Sequence, residues 1–398
     1  MKPLSQKALQ VKESSTLLIT AKAKAMKAAG ENIIAFTAGE PDFDTPEHIK
    51  QAASQAAWEG FTKYTASAGI PELRKAICEK LKNDNGLEYD PSQIVVSNGA
   101  KHALSNVFSS IINDGDEIII PAPYWLTYPE LIILAGGIPV TVMTSKSTGY
   151  KPTVEQLSAA ITPKTKAIVI NSPNNPSSAV YSKNELKVIA DLAVKYNLYV
   201  ISDEIYEMLI FDQSTPHISI ASLGKEIFDR TIVINGYSKS YAMTGWRVGY
   251  SACSKQIADV IGNIQSHRTS NINTLAQKAA LAAETGDKTC VYDMRDAFKA
   301  RRDLMFNMVQ EIPALDALYP ECAFYVFADI SSICGKSAYG TVINNGADFA
   351  NLLLEKQKVA IVPCGDFGCD NHIRLSFALS EGDIIEGMNR IKSFVEGI

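Results

Sequence analysis

Asn235-Gly236-Tyr237-Ser238-Lys239-Ser240-Tyr241-Ala242-Met243-Thr244-Gly245-Trp246-Arg247 is the stretch around which the chain is organised. It follows the apolar run Thr231-Ile232-Val233-Ile234, which reads as a buried strand, and precedes Val248-Gly249-Tyr250-Ser251-Ala252, which reads as another. Lys239 thus sits in a polar, glycine-flanked loop between two core strands, with Arg247 eight residues on. A lysine held where water is scarce loses part of its preference for the charged form, and its neutral amine attacks carbonyls to form Schiff bases. Arg247 and Ser238 suit a phosphate, and the glycines let the backbone approach one. The plain alternative is an ordinary lysine in a surface loop.

Outward from this loop the chain alternates short apolar runs with helical spacing. Ile94-Val95-Val96, Glu117–Ile120, Ile138–Met143, Lys166–Ile170, Leu198–Ile201, Thr231–Ile234 and Arg247–Ala252 read as strands. Helices are predicted over His102–Ile112, Leu126–Ala135, Val154–Ala160 and Ser182–Tyr196, with Ser97–Lys101 as a turn. Upstream, Thr20–Ala29 has helical spacing and Ile33–Phe36 reads as a short strand. One helix starts after Thr45-Pro46, and another runs from Pro71 to just before Asn85-Gly86. Unbroken apolar strands alternating with helices imply an α/β fold, a mostly parallel sheet covered on both faces. After about Ala283 the character changes. Helical stretches near Asn273–Glu284 and Tyr292–Ile312 are followed by strands at Phe324–Ala328, Val359–Val362 and His372–Phe377 and helices at Asp348–Lys356 and Glu381–Glu396, a smaller α+β unit.

Ligands of such sheets bind outside the carboxyl ends of the strands, and there the unusual polar residues cluster. Gly99-Ala100-Lys101 lies between a strand and a helix, where free N–H groups and the helix dipole favour a phosphate, although no nucleotide motif is present. Asp203 closes an apolar strand and needs a cation there; a protonated ring nitrogen and an arginine are the two candidates. Tyr206 follows three residues on, either facing a ligand oxygen or packed in the core. Trp125, after Pro121-Ala122-Pro123-Tyr124, offers a stacking face or simply core. Arg374 lies inside the strand His372–Phe377 and requires an anion, a bound carboxylate or an internal acid.

Composition narrows the classes. With 398 residues, 46% of them apolar, the chain has material for two domains and is not disordered. A net charge of −5 without long single-sign blocks is no nucleic-acid footprint. The seven cysteines form no C-x-x-C pair, which favours free thiols in a reducing cytosol over disulfides or zinc. The five histidines show no metal-ligand spacing, so no metal is expected. The hydrolase and kinase signatures are missing. The first residues lack a signal-peptide core, and no run approaches about 18 apolar residues, so neither export nor a membrane span is expected.

Taken together, these segments resemble one family along nearly the whole chain. Ala38–Pro46, Lys63-Tyr64-Thr65, Gly69–Arg74, Pro123-Tyr124-Trp125, Asn171–Pro176, Ser202–Tyr206, Ser238–Arg247 and Arg374 occur in the order found in fold-type I pyridoxal-phosphate enzymes. Within them the chain resembles the class I aminotransferases of the bacterial aspartate type, including the aspartate/prephenate branch. The resemblance implies a large cofactor-binding domain over residues 45–284, a small C-terminal domain over 285–398, and residues 1–44 forming an N-terminal arm and part of the small domain. It implies that Lys239 carries pyridoxal 5'-phosphate as a Schiff base and later moves the substrate's α-proton. Asp203 pairs with the ring nitrogen, Tyr206 and Asn175 bond the ring oxygen, and Trp125 stacks. Gly99, Ala100, Lys101, Ser238 and Arg247 hold the phosphate, with Tyr64 from the other subunit of a homodimer that shares its active sites. Arg374 grips the substrate α-carboxylate beside Asn175, Trp125 and Gly39, Lys101 faces a second carboxylate, and Lys12 matches a lysine that aids prephenate transamination in some members of that branch.

The implied reaction converts L-aspartate and 2-oxoglutarate to oxaloacetate and L-glutamate, by ping-pong kinetics, in the cytoplasm. Aromatic or prephenate transamination and a carbon–sulfur β-lyase are the alternatives on the same scaffold. A regulatory module fits poorly, because only about 30 residues precede the enzyme-like region and a DNA-binding unit does not fit in them. Two departures stand out. Pro176-Ser177-Ser178 replaces the family's Pro-Thr-Gly, and Glu321-Cys322-Ala323-Phe324-Tyr325 replaces its Ser-Gly-Ala-Phe-Tyr.

Overall fold

The computed structural model of the chain describes residues 2–212 and 214–398. Its largest sheet has seven strands. In space they run Ile94–Ser97, Gly249–Ala252, Thr231–Gly236, Tyr199–Asp203, Thr165–Asn171, Glu117–Ala122 and Ile138–Met143. Neighbours pair in parallel except Gly249–Ala252, which is antiparallel to both strands beside it.

Side chains alternate between the two faces of a strand, and both faces are covered here. Ile118, Ile120, Val169, Ile201, Ile232 and Ile234 pack with the helices Ala100–Ile111 and Lys255–Arg268. Ile119, Ile168, Ile170 and Val200 pack with the helix Lys183–Lys195. Val96 and Val233 meet the helices Pro71–Asn85 and Thr274–Thr285. This double burial explains why the strands read as unbroken apolar runs.

Three local differences from the sequence reading bear on the site or its surroundings. The helix after the first large-sheet strand begins at Ala100, so Ala100 and Lys101 belong to its first turn and not to the preceding loop. The helix Lys255–Arg268 was not assigned from sequence; Gly262 and Asn263 interrupt its pattern, and Ile257, Ala258 and Ile261 anchor it to the sheet. The run Val359–Val362 is not one strand. Val359–Ala360 pairs in parallel with Ile34–Ala35, whereas Val362–Pro363 pairs antiparallel with His372–Ser376.

The smaller sheet is antiparallel, in the order Val362–Pro363, His372–Ser376, Tyr325–Asp329 and Asp316–Ala317. Phe298, Phe324, Phe349, Phe377 and Phe394 fill the core between it and its helices. The Ser178 departure has a visible local account. Its φ is +56°, in the left-handed region, which costs a residue with a side chain about 1 kcal/mol. Its hydroxyl donates to the Tyr325 carbonyl at 2.8 Å, which offsets part of that strain. Cys322 lies fully buried near the same turn, with Sγ 3.9 Å from the Ala179 carbonyl oxygen. Among the described residues, no helix is long and apolar enough to cross a membrane.

The antiparallel strand passes tightly beneath the start of the helix Ala100–Ile111. A Cβ added to Gly249 would lie 2.7 Å from the Gly99 carbonyl carbon and would also strike the Ala100 nitrogen. Gly249→Ala is therefore expected to lower stability by about 1–3 kcal/mol through backbone displacement. Denaturant unfolding beside the wild type checks this.

Candidate active site

The carboxyl ends of the parallel strands open into a cavity of about 1120 Å³, lined by residues from both sheets and from the N-terminal segment. Of the residues singled out in the sequence, Lys12, Gly39, Ala100, Lys101, Trp125, Asn175, Asp203, Tyr206, Ser238, Lys239, Arg247 and Arg374 line it. Gly99 stands just behind, against the Arg247 guanidinium. Tyr64 does not join them: the residue is 89% exposed and does not line the cavity of its own chain.

Lys239 donates from Nζ to the Gly39 carbonyl, and the ammonium lies 6.0 Å from the centre of the Tyr206 ring and 5.9 Å from that of Phe324. Burial pushes its proton affinity down to about 8; Glu40 opposes the shift, and Arg374 and Arg247 reinforce it. An amine in this state is neutral for a useful fraction of the time near physiological pH.

Asp203 is buried at the end of its strand. Its Oδ2 accepts from the Tyr128 hydroxyl at 2.6 Å and its Oδ1 from the Ile205 N–H at 3.3 Å. Among the described residues no cation lies within ion-pair distance of it. Burial raises its acid group to about 6, although Tyr128 and Ile205 pull the other way. The arginine partner considered from sequence is not there, and a buried carboxylate with only neutral donors remains disposed to take a cation.

Arg374 repeats this situation with the sign reversed. It is buried, donates from Nη1 to Asn175 Oδ1 at 2.9 Å and from Nη2 to the Thr37 carbonyl at 3.5 Å, and leaves Nε without a partner. The guanidinium carbon sits 4.2 Å from the centre of the Tyr325 ring. No carboxylate pairs with it among the described residues, so the internal ion pair weighed from sequence is absent and a buried, forked cation faces the cavity.

The anion-binding corner is built from backbone. Gly99 takes φ +84° as N-cap of the helix Ala100–Ile111, and no side chain caps that helix. Arg247, itself at φ +58°, donates from Nη1 to the Thr244 carbonyl at 2.8 Å and from Nη2 to the Asn98 carbonyl at 3.4 Å. A guanidinium and an uncapped helix start in contact concentrate positive potential on one spot. Lys101 holds Nζ 5.0 Å from the centre of the Trp125 ring, and burial, with Arg247, lowers its proton affinity. Lys12 is held in place by its backbone N–H, which donates to Glu130 Oε2 at 3.0 Å.

Two residues escaped the sequence reading. Tyr128, one helical turn after Trp125, meets that ring edge-on at 5.6 Å between centres while it donates to Asp203. Tyr325 underlies Arg374 and shares a 3.0 Å hydrogen bond with the Tyr206 hydroxyl. Helical spacing from Trp125 was the available signal for the first; the second comes from the other sheet and had none. The structure also gathers Glu204, Glu207 and His217, with one ligand atom from each within 4.8 Å of the others, which the spacing of the histidines did not suggest.

The chain is similar to known proteins along its full length. Residues 31–391 match the family model described as aminotransferase class I and II. A probable aspartate/prephenate aminotransferase of Aquifex aeolicus is 47% identical, with 100% of each chain covered. An aspartate aminotransferase of Bacillus sp. strain YM-2 is 46% identical over 96% of each. Among solved structures, the Rhizobium meliloti aspartate aminotransferase superposes with a TM-score of 0.96 at 38% identity, covering 100% of both chains. The Thermus thermophilus aspartate aminotransferase with maleate gives 0.93 at 41% identity, covering 99% of this chain and 100% of that one. A cavity that pairs a partly neutral amine with an uncompensated buried acid, inside a chain alike in sequence and fold from end to end, belongs to a member of the aminotransferase class I and II family.

Proposed function

We propose that this aminotransferase uses pyridoxal 5'-phosphate to transfer the amino group of L-aspartate to 2-oxoglutarate, giving oxaloacetate and L-glutamate. The observation that carries the reading is the buried carboxylate of Asp203, with no cation of its own, in the same cavity as the Lys239 amine. The residues present fit the cofactor: an acid for a ring nitrogen, an amine for an aldehyde, and an uncapped helix start with an arginine for a phosphate. When bound, the cofactor supplies an aldehyde that condenses with amines and a ring that withdraws electrons from the carbon next to nitrogen.

The chain's own groups do the rest. Lys239 would hold the cofactor, and its free amine would take the α-proton of the amino acid on Nζ as general base. Asp203 would pair with the ring nitrogen and favour its protonated form, and Tyr128, which donates to Oδ2, orients that carboxylate. Tyr206 and Asn175 would hydrogen-bond the ring oxygen, and Trp125 would lie against the ring. Gly99, Ala100, Lys101, Ser238 and Arg247 bind the phosphate. Arg374 takes the α-carboxylate in its fork beside Asn175 and Gly39, and Lys101 receives the second carboxylate. The relative from Thermus thermophilus solved with maleate, a dicarboxylate, supports a dicarboxylic substrate. Lys12 on the cavity wall, together with the aspartate/prephenate relatives, favours prephenate as a second acceptor.

The working unit is a homodimer in which Tyr64 reaches the phosphate of the neighbouring site; its exposure away from its own cavity supports this. The division at residues 45 and 285 follows the same reading. Seven cysteines without a disulfide fit a cytoplasmic enzyme.

Lys239→Ala is expected to abolish transamination and the visible absorption band of the protein incubated with the cofactor; near-normal rates would end the assignment. Arg374→Ala should cost about 100-fold or more in kcat/KM for aspartate, since a buried charge-assisted contact is removed. A donor and acceptor panel run with and without a 2-oxo acid tests specificity. Pyruvate released without an acceptor would mark a β-lyase instead. In cofactor-free protein, acylation of Lys239 followed by peptide mass spectrometry should rise with pH and reach half its maximum near 8, well below the ordinary lysine value of 10.5.

A further inference from the structure

Behind the cavity lies a charged cluster for which the reaction has no direct use. Glu207, on the segment after the strand Tyr199–Asp203, is buried. Its Oε1 accepts from Lys80 Nζ and from Asn235 Nδ2 at 2.7 Å, and its Oε2 accepts from Asn85 Nδ2 at 2.9 Å. Lys80 also donates to Asn85 Oδ1 at 2.7 Å, and Asn235 Oδ1 accepts from the Gly236 N–H at 2.7 Å. Burial alone would push the Glu207 acid up, but Lys80, His217 and Asn85 hold it down to about 2. Around it stand Asp84 of the helix Pro71–Asn85, Glu284 of the helix Thr274–Thr285, Lys288 just beyond that helix, and Glu204 with His217.

A metal ion is the first alternative, because Glu204, Glu207 and His217 offer ligand atoms close together. The facing glutamate oxygens and His217 Nε2 are already engaged with one another and with neighbouring donors. Glu204 accepts from Ser202 at 2.8 Å, from Ser219 at 2.6 Å and meets His217 Nε2 at 3.0 Å, while Lys80 supplies the positive charge beside Glu207. A purely stabilising ion pair is the second alternative. Taking two charges out of water costs several kcal/mol each, so such a pair adds little net stability over apolar packing.

The place of the cluster in the fold suggests a different use. Register between the strands Tyr199–Asp203 and Thr231–Gly236 ends at Asp203 opposite Ile234, and the last backbone rung is Glu204 N–H to the Ile234 carbonyl at 2.9 Å. Beyond it the two chains part, one carrying Tyr206 and the other Lys239. The Glu207–Asn235 hydrogen bond crosses that gap, four residues after Asp203 and four before Lys239. A carboxylate accepts three donors here at once, two from the helix Pro71–Asn85 and one from the end of the strand Thr231–Gly236, which an amide in its place does not do.

We propose that Glu207, held by Lys80, is a positioning residue that grips Asn235 and so sets the Lys239 amine against Asp203 and Tyr206. The inference rests on the reading of Lys239 as the cofactor-bearing amine. It acts through the loop and touches neither substrate nor cofactor.

The test is an exchange of the pair. Glu207→Gln leaves Lys80 without its charge partner, and Asn235→Asp sets two carboxylates face to face. The double variant restores one charge and one hydrogen bond with the donor reversed. Each is loaded with pyridoxal 5'-phosphate and titrated by visible absorption without substrate, then assayed for kcat and KM and melted. Each single change should move the titration midpoint by about 1 pH unit and lower kcat about tenfold or more, with KM for aspartate within about threefold. The exchanged pair should recover both. Asn235→Ala, which keeps the Lys80–Glu207 pair, serves if a single charge variant does not fold, and it should show the same shift. Lower melting temperatures with an unmoved midpoint and unchanged kcat would reduce Glu207 to a structural role and overturn the proposal. A wild type that never colours with the cofactor would overturn the cofactor reading, and this inference with it.

Discussion

A carboxylate at the end of a buried strand, supplied with hydrogen-bond donors but with no cation among the described residues, is the constraint on which the rest of the site depends. Asp203 receives a tyrosine hydroxyl and a backbone N–H, and both are neutral. The resulting deficit makes the cavity a receptor for positive charge at one point. The same economy recurs at Arg374, whose fork is buried against Tyr325 and satisfied only in part. Two opposite, incompletely paired charges held in one chamber are unfavourable in the empty protein and become favourable when a ligand completes both. Rigid sheet ends make this possible, because neither residue is free to swing toward a partner elsewhere.

Much of this was legible in the residues. Unbroken apolar runs such as Ile232–Ile234 and Ile168–Ile170 announced strands buried on both faces, and the polar groups that close them located the cavity. Lys239 and Asp203 stand at strand ends, where sequence position alone sets their place. The contributions of Tyr128 and Tyr325 were not legible, because each acts by contact across elements distant in sequence. The helix Lys255–Arg268 was missed because Gly262 and Asn263 weaken a pattern that tertiary packing upholds. The split of 359–362 between two sheets was hidden for a similar reason. Periodicity reports which residues are buried, not which neighbour buries them.

The two departures from the family pattern are absorbed locally. Ser178 occupies a left-handed conformation that glycine adopts more easily, and it recovers a hydrogen bond to the Tyr325 backbone in exchange. That bond joins the turn after Asn175 to the strand that carries Tyr325, so the replacement adds a side-chain tie beside the bond from the Glu321 N–H to the Ser178 carbonyl at 3.0 Å, which a glycine would also make.

The parallel pairing of Ile34–Ala35 with Val359–Ala360 has a consequence for biosynthesis. The two partners emerge from the ribosome about 325 residues apart, an interval of roughly 15–65 s at ordinary elongation rates. Throughout that time the large sheet can assemble, whereas the segment bearing Gly39 lacks its β-partner. Closure of this wall of the chamber is therefore a late step that joins segments far apart in sequence, and a nascent chain cannot complete it before the strand Val359–Ala360 is released.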